Sequence, residues 1–176
     1  AEMTMVRIIR GAKELIKAGV ELRATTAELD YFLQRPDQAF DPKQDLARFC
    51  RLDDHDVMST IKNWAQHTDL VLSELCGRVI ERRLLKIRLQ ANPVDAAQLK
   101  EKQVEVRERY GVSADEAAYL AFTGEASNTL YNPGDERIRI LFKDGMVRDI
   151  SEVDHALIQQ GLSGRVKKHY ICYPGA

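Results

Sequence analysis

The spacing of apolar residues changes near residue 85, and this change constrains the fold of the chain more than any other feature. Upstream of it, apolar residues recur every three to four positions in several short segments, which is the period of a helix that buries one face. In "LKIRLQ", by contrast, Leu85, Ile87 and Leu89 alternate with Lys86 and Arg88, as in a half-buried strand. The sequence therefore predicts an α+β fold, with a mainly helical amino-terminal half and a small antiparallel sheet with helices in the carboxy-terminal half.

The same pattern favours two successive domains, a helical one over residues 1–90 and an α+β subdomain over residues 91–176 that packs on it. In the first domain, helices are predicted over residues 3–18, 25–33, 42–50, 54–67 and 69 to about 81. We expect a Thr to cap the helix over residues 25–33. Asp53 is expected to cap the helix over residues 54–67. Trp64, Tyr31 and Phe32 lie on apolar stripes, which favours core packing over stacking on a nucleotide base.

In the second domain, the sequence predicts both helices and strands. A helix is expected from an Asn92 cap to Gly111, with Pro93 as its first residue. Strands are predicted in "AYLAFTG" and "VKKHYICY", and a hairpin in "RIRILF" and "MVRDI" around the turn "KDG". A short capped helix is predicted in "SEVDHALIQQG", which begins at Ser151.

Composition excludes several classes of function. With 176 residues, 44% of them hydrophobic, and a net charge of −1, the chain resembles an ordinary globular protein without a general attraction for nucleic acid or anionic membranes. No apolar run approaches the roughly 20 residues of a membrane-spanning helix. The scattered Cys50, Cys76 and Cys172 form neither a disulfide framework nor a zinc pattern, which predicts a cytoplasmic location. Cys50 and Cys76 are expected to be buried.

An adjacent His55-Asp56 pair raises the question of a metal site, because His and Asp are common ligands of divalent cations. The apolar stripe of this helix is centred near Ile61, so both side chains project from the polar side of the first turn. The remaining histidines, His67, His155 and His169, do not complete a ligand set. The pattern favours a solvated helix terminus, and we assign no catalytic residue and no metal ligand to this chain.

The first helix begins without a capping residue and carries an apolar stripe. The stripe consists of Met5, Ile8, Ile9, Ala12, Leu15 and Ile16. A helix that opens in this way suggests a longer protein in which the helix continues upstream. We expect the stripe to pack against later parts of the chain or against another copy.

Three segments in order resemble the carboxy-terminal part of the HD-superfamily nucleotide phosphohydrolases. They are "FCRLDDHDVMSTIKNW", "VLSELCGRVIERRLLKI" and "IRILFKDGMVRDISE" followed by "VKKHYICY". The superfamily includes bacterial dGTP triphosphohydrolase-like proteins and a mammalian SAM-and-HD-domain dNTP triphosphohydrolase. Its Arg-x-Leu-Leu/Phe-Lys pattern corresponds here to Arg82, Leu84, Leu85 and Lys86, whereas Arg83 replaces a small polar residue of the family.

The resemblance implies that the catalytic divalent metal is bound by an upstream HD domain, so this fragment requires no cofactor of its own. It implies partners for the chain: that HD domain, further copies in a homo-oligomer and a deoxynucleotide effector. Arg82 and Lys86 correspond to residues that contact an activating nucleotide in the mammalian relative. Two alternatives remain open: a solvated basic edge formed by Arg82, Arg83, Lys86 and Arg88, and a protein–protein assembly module without catalysis.

Overall fold

The structure, a computed structural model, describes residues 2–35, 40–128, 138–150 and 166–175. Its helices are α1 (Glu2–Lys17), α2 (Ala27–Gln34), α3 (Pro42–Phe49), α4 (Asp54–Trp64), α5 (Leu70–Ile80), α6 (Ala96–Tyr110) and α7 (Ala114–Leu120). Its strands are β1 (Lys86–Gln90), β2 (Phe122–Asn128), β3 (Arg139–Leu141), β4 (Val147–Asp149) and β5 (Val166–Tyr173). The predicted α+β fold, with a mainly helical first half, is confirmed.

The chain divides into two compact units that interleave in sequence. One unit contains Ala1–Ile87, Ala96–Phe122 and Cys172–Ala176, and the other contains Arg88–Asp95 and Thr123–Ile171. Among the described helices, none combines the length and apolar character that crossing a membrane requires.

The core of the first unit lies among helices that each bury one face. Ile8 and Ala12 of α1 have no exposed surface, so part of the predicted apolar stripe packs within the chain. Trp64 at the end of α4 is 1% exposed, and its indole N–H donates to the Arg23 carbonyl over 2.9 Å. Cys76 on α5 is fully buried, as predicted, and burial raises the pKa of its thiol to about 12.

Side-chain caps fix the starts of several helices. The predicted cap at Asp53 is confirmed: its carboxylate accepts from the backbone N–H groups of His55 and Asp56, and the Asp56 carboxylate accepts from the Asp53 N–H. Ser113 and Glu116 form a second capping box at α7. Thr26 occupies the cap position of α2, but its side chain makes no capping hydrogen bond. The Thr position was therefore predicted correctly, whereas its hydrogen bond is absent.

The described strands form two antiparallel sheets. The larger sheet has the strand order β1-β5-β2, so β5 lies between strands that precede it in sequence. The predicted hairpin is confirmed, with Ile140 of β3 opposite Arg148 of β4. Gly145, in the turn, has a φ of +80°, a conformation that Gly adopts without the steric cost a side chain adds. The predicted strand in "VKKHYICY" is confirmed as β5.

Several local predictions are wrong. "AYLAFTG" was predicted as a strand, but α7 runs to Leu120 and β2 begins only at Phe122. The helix expected at Asn92 begins at Ala96, and the Gln90 amide donates to the Asn92 carbonyl ahead of it. Cys50 is exposed because it follows the last residue of a short surface helix. The predicted helix from Ser151, with His155, lies outside the described residues.

Candidate anion-binding site

The connection between α5 and β1 carries the two cations singled out by the sequence. Helix α5 ends at Ile80, and Lys86 is the first residue of β1, so both Arg82 and Lys86 lie at the predicted helix-to-strand junction. Both are exposed. Arg82 has a φ of +58°, in the left-handed region that residues other than Gly adopt infrequently. Arg82 therefore lies just past the end of α5, in the left-handed conformation that commonly terminates a helix.

The buried guanidinium of Arg78 forms a hydrogen bond to the backbone of the segment after α5. Arg78 is 4% exposed, and its Nη1 donates to the Arg83 carbonyl over 3.1 Å. Its Nε donates to Glu74 Oε1 over 2.8 Å, and its Nη2 donates to the Tyr110 hydroxyl over 2.7 Å. The Tyr110 hydroxyl in turn donates to Glu74 Oε1 over 3.0 Å. A buried charge with hydrogen bonds to all its nitrogens is a rigid support, and here it holds the backbone next to Arg82.

The segment that follows β5 contacts a further cation, Arg109 of α6. The Nη1 of Arg109, on α6, donates to the Gly175 carbonyl over 2.6 Å. The aliphatic chain of Lys86 lies against the same glycine, because a Cβ built at Gly175 would be 2.8 Å from Lys86 Cε. Lys86 and Arg109 therefore meet at one residue of the carboxy-terminal segment.

These cations differ in how far local carboxylates neutralise them. Arg83 forms an ion pair with Glu81, and its hydrogen bond to that carboxylate raises the pKa of Arg83. No described carboxylate forms an ion pair with Arg82 or Lys86. A guanidinium can donate two parallel hydrogen bonds to phosphate oxygens, and an ammonium adds a compact positive charge, so side chains of these types are suited to binding a phosphate group.

The His55-Asp56 pair lies elsewhere, on the first turn of α4. The His55 side chain is 98% exposed, and Asp56 is engaged in the capping box. Backbone N–H groups, first that of Asp56 and then that of His55, lower the pKa of Asp53. Within residues 2–35, 40–128, 138–150 and 166–175, no group of three or more His, Cys, Asp or Glu side chains is arranged to hold a metal ion.

Sequence reasoning missed the residues that support the basic edge. Arg78 falls within the apolar helix pattern of α5, and Arg109 falls within a run of charges that reads as a solvated helix face. The contact of Arg78 with Tyr110 and that of Arg109 with Gly175 span 32 and 66 residues in sequence, so neither contact is visible locally. The adjacency of Glu74 and Arg78 at i, i+4 was the single local clue.

With this geometry in place, comparison with solved structures identifies a class of similar proteins. The fold matches part of a phosphohydrolase, with a TM-score of 0.81 and 33% sequence identity over 98% of this chain and 43% of that chain. The matching protein is the phosphohydrolase of Bacteroides thetaiotaomicron VPI-5482.

Comparison with curated proteins finds a similar relation. The uncharacterised protein YwfO of Bacillus subtilis (strain 168) is 23% identical over 179 residues, covering 99% of this chain and 39% of YwfO. The chain thus spans about two fifths of the length of each of these proteins. No protein-family model matches it.

Proposed function

We propose that this chain is the carboxy-terminal part of an HD-superfamily phosphohydrolase that hydrolyses (deoxy)nucleoside triphosphates. The observation that carries the proposal is the likeness to a solved phosphohydrolase at 33% identity over 98% of the chain. The superfamily assignment adds the Arg-x-Leu-Leu-Lys pattern at Arg82 to Lys86. In this proposal the chain completes the fold of the parent protein and contributes to its oligomer.

The chain's own share in catalysis is indirect. We assign no step of the reaction to this chain, because the resemblance places the His and Asp set that a hydrolytic metal needs in the upstream HD domain. A divalent metal bound upstream would supply the activated water. Arg82 and Lys86 would instead bind the phosphates of an effector deoxynucleotide, with Arg109 as a third positive charge beside Lys86.

Three features support an effector site at this junction. Arg82 and Lys86 are exposed and form no ion pair with a described carboxylate. The Arg78 network holds the turn between them, which lowers the entropic cost of ordering the site when an anion binds. Arg109 donates to the Gly175 carbonyl and the aliphatic chain of Lys86 lies against the same glycine, so both cations belong to one part of the surface.

The test uses the full-length protein and its activation by deoxynucleotides. We expect Arg82→Ala and Lys86→Ala each to weaken activation about tenfold to a hundredfold, because losing a charge-assisted hydrogen bond costs about 1.5–3 kcal/mol. The basal rate should survive, since the metal site is elsewhere. Arg83→Ala is the matched control, because Glu81 already neutralises this neighbouring cation. Wild-type activation curves for both variants would reduce the pair to a solvated basic edge.

A second variant tests the position of Lys86 without removing its charge. In Gly175→Ala the new methyl group would meet the Lys86 side chain, which must then shift because its Cε lies 2.8 Å away. Lys86 is flexible, so the fold should be unaffected while activation weakens less than in Lys86→Ala. One outcome is an unchanged activation curve in Gly175→Ala and a weakened one in Lys86→Ala. That result would mean that the Lys86 ammonium binds the effector from a position away from Gly175.

An assembly module without an effector remains the second candidate, and one observation favours it. Ile87 and Leu89 on β1 are 57% and 51% exposed, although their alternation predicted a half-buried strand. Apolar side chains on an edge strand suit pairing with another chain. Light scattering of the parent with and without deoxynucleotide separates the candidates, since a pure module should assemble identically in both conditions.

A further inference from the structure

A pocket between α1, α5 and α7 is left unfilled by the side chains of the described residues. Its volume is about 330 Å³, and its apolar walls include Ile8 and Leu15 of α1, Leu72 and Leu75 of α5, and Tyr119 of α7. An engineered apolar cavity of roughly 150 Å³ already binds a benzene-sized molecule, so this pocket has room for a large apolar side chain. The pocket is partly open to solvent, so a side chain from another segment can enter it.

Gly11 shapes one wall of the pocket. A Cβ built at this position would lie 3.3 Å from Tyr119 Cε1, closer than most Cβ contacts. The glycine thus lets the tyrosine ring approach α1 and keeps the space beside it open. Burial is the largest cause that raises the pKa of Tyr119 to about 12, and a hydrogen bond with Glu14 is the next largest. Tyr119 is therefore a neutral member of the wall.

Negative charge surrounds the pocket. Glu14, Asp69, Asp115 and Glu116 border it, and Arg7 is the one cation among its lining residues. The Arg7 guanidinium faces inward: its Nη1 donates to the Ala118 carbonyl over 2.8 Å, and its Cζ lies 3.6 Å from the centre of the Phe122 ring. Asp69 accepts a hydrogen bond from the Leu72 N–H, and Glu116 accepts one from the Ser113 N–H. A partner that suits this surface presents an apolar group flanked by positive charge.

We propose that the pocket between α1, α5 and α7 receives an apolar side chain, flanked by Lys or Arg, from the amino-terminal part of the parent phosphohydrolase. The inference rests on the proposed function, and it adds the surface and the chemistry through which the two parts meet. More than half of each similar protein lies outside the region that matches this chain, so the parent has ample additional chain to cover the pocket. A second copy docked mouth to mouth would instead bring carboxylates of the same sign together.

Hydrogen exchange tests the proposal in the full-length protein. Amides of α1 and α7 should exchange about tenfold more slowly in the parent than in this chain alone, because docking stabilises both helices against local opening. In the parent, the double charge reversal Glu14→Lys with Asp115→Lys should remove most of this protection. Glu101→Lys, an exposed reversal on α6 away from the pocket, is the matched control and should leave it unchanged. A filling variant, Gly11→Leu, should also reduce the protection.

Each outcome decides a separate point. Equal exchange in the parent and in this chain alone would overturn the docking, even where the parent hydrolyses nucleotides as proposed. Protection without any metal-dependent hydrolysis would support the docking and overturn the proposed function. Protection of the isolated chain that grows with its concentration would identify a second copy as the occupant. Protection of the isolated chain that dialysis removes would identify a small molecule, and either result would overturn the proposal.

Discussion

At the scale of single residues, the caps of α2 and α7 provide a matched pair for experiment. The Ser113 hydroxyl accepts from the Glu116 N–H, so Ser113→Ala should lower the free energy of unfolding by about 1 kcal/mol. The Thr26 hydroxyl is buried and has no hydrogen-bond partner among the described residues, so Thr26→Val should cost much less or stabilise the chain. Urea unfolding of the two variants and the wild type measures both effects. Equal losses would mean that Thr26 forms a cap in solution.

A second residue-scale prediction concerns the buried carboxylate of Asp45. It has no exposed surface, forms an ion pair with Arg35 and accepts from the Asp41 N–H and the Tyr31 hydroxyl. The hydrogen bond from Arg35 is the largest cause that lowers the pKa of Asp45. A lowered carboxyl pKa stabilises the folded chain above the unfolded value of about 3.9, and this stabilisation is lost as the pH falls through the folded pKa.

The comparison for Asp45 is thermal unfolding of the wild type and Asp45→Asn between neutral pH and about pH 3. The wild type should be the more stable protein at neutral pH, and the difference in Tm should shrink below about pH 4. Asp144→Asn, at an exposed residue paired with Arg148, serves as the control and should show a much smaller difference throughout. A Tm difference for Asp45→Asn that is constant with pH would contradict the ionised, paired state.

The caps show how much residue chemistry could be predicted. Asp53 was predicted because its function is local: its hydrogen-bond partners are within three residues. Asp45 was not singled out, since its importance depends on Tyr31 and Arg35 from the preceding helix. Cys50 was predicted to be buried from an apolar helix pattern, but α3 leaves its apolar residues Leu46 and Phe49 exposed together with Cys50.

At the scale of elements, Gly124 and Gly77 allow two effects of a Gly→Ala substitution to be compared. One is steric overpacking, and the other is the loss of backbone freedom in the unfolded chain. A Cβ built at Gly124 on β2 would lie 2.4 Å from Tyr170 Cζ on β5, and Tyr170 is only 7% exposed. Gly124→Ala should therefore destabilise the chain by about 1–3 kcal/mol through overpacking. Gly77 lies within α5 with nothing within 4 Å of a built Cβ, so Gly77→Ala should stabilise by about 0.5–1 kcal/mol. The denaturant midpoint should fall in Gly124→Ala and rise in Gly77→Ala. A rise in both variants would refute the close contact between Gly124 and Tyr170.

The elements also show where pattern reasoning fails. The hairpin of β3 and β4 was predicted because its turn residues are local and Gly145 supplies the required positive φ. The strand in "AYLAFTG" was placed too early because Tyr119 and Leu120 suit strands as well as buried helices. The capping box of Ser113 and Glu116 decides between these states, and it precedes the apolar run.

At the scale of the whole molecule, the candidate anion site divides into a predictable and an unpredictable part. Arg82 and Lys86 belong to one short segment, and their position at the helix-to-strand junction follows from the change of period. Arg109 and Lys86 both contact Gly175, which follows β5. Strand β5 lies between β1 and β2 in the sheet, although both precede it in sequence. That strand order is a long-range property, and a single sequence carries no local signal for it.

The last prediction concerns the activity of this chain on its own. We expect it to hydrolyse no deoxynucleoside triphosphate with manganese, magnesium or nickel, because its His55-Asp56 pair lies on an exposed helix start and no metal-binding group of side chains is found among the described residues. The assay measures release of triphosphate or phosphate from a panel of deoxynucleotides, with the full-length protein as the positive control. His55→Ala should change neither the rate nor the unfolding temperature appreciably, since the cap depends on Asp53 and the backbone of residue 55. Metal-dependent turnover that His55→Ala abolishes would place a catalytic site on α4 and refute the assignment of catalysis to the upstream part.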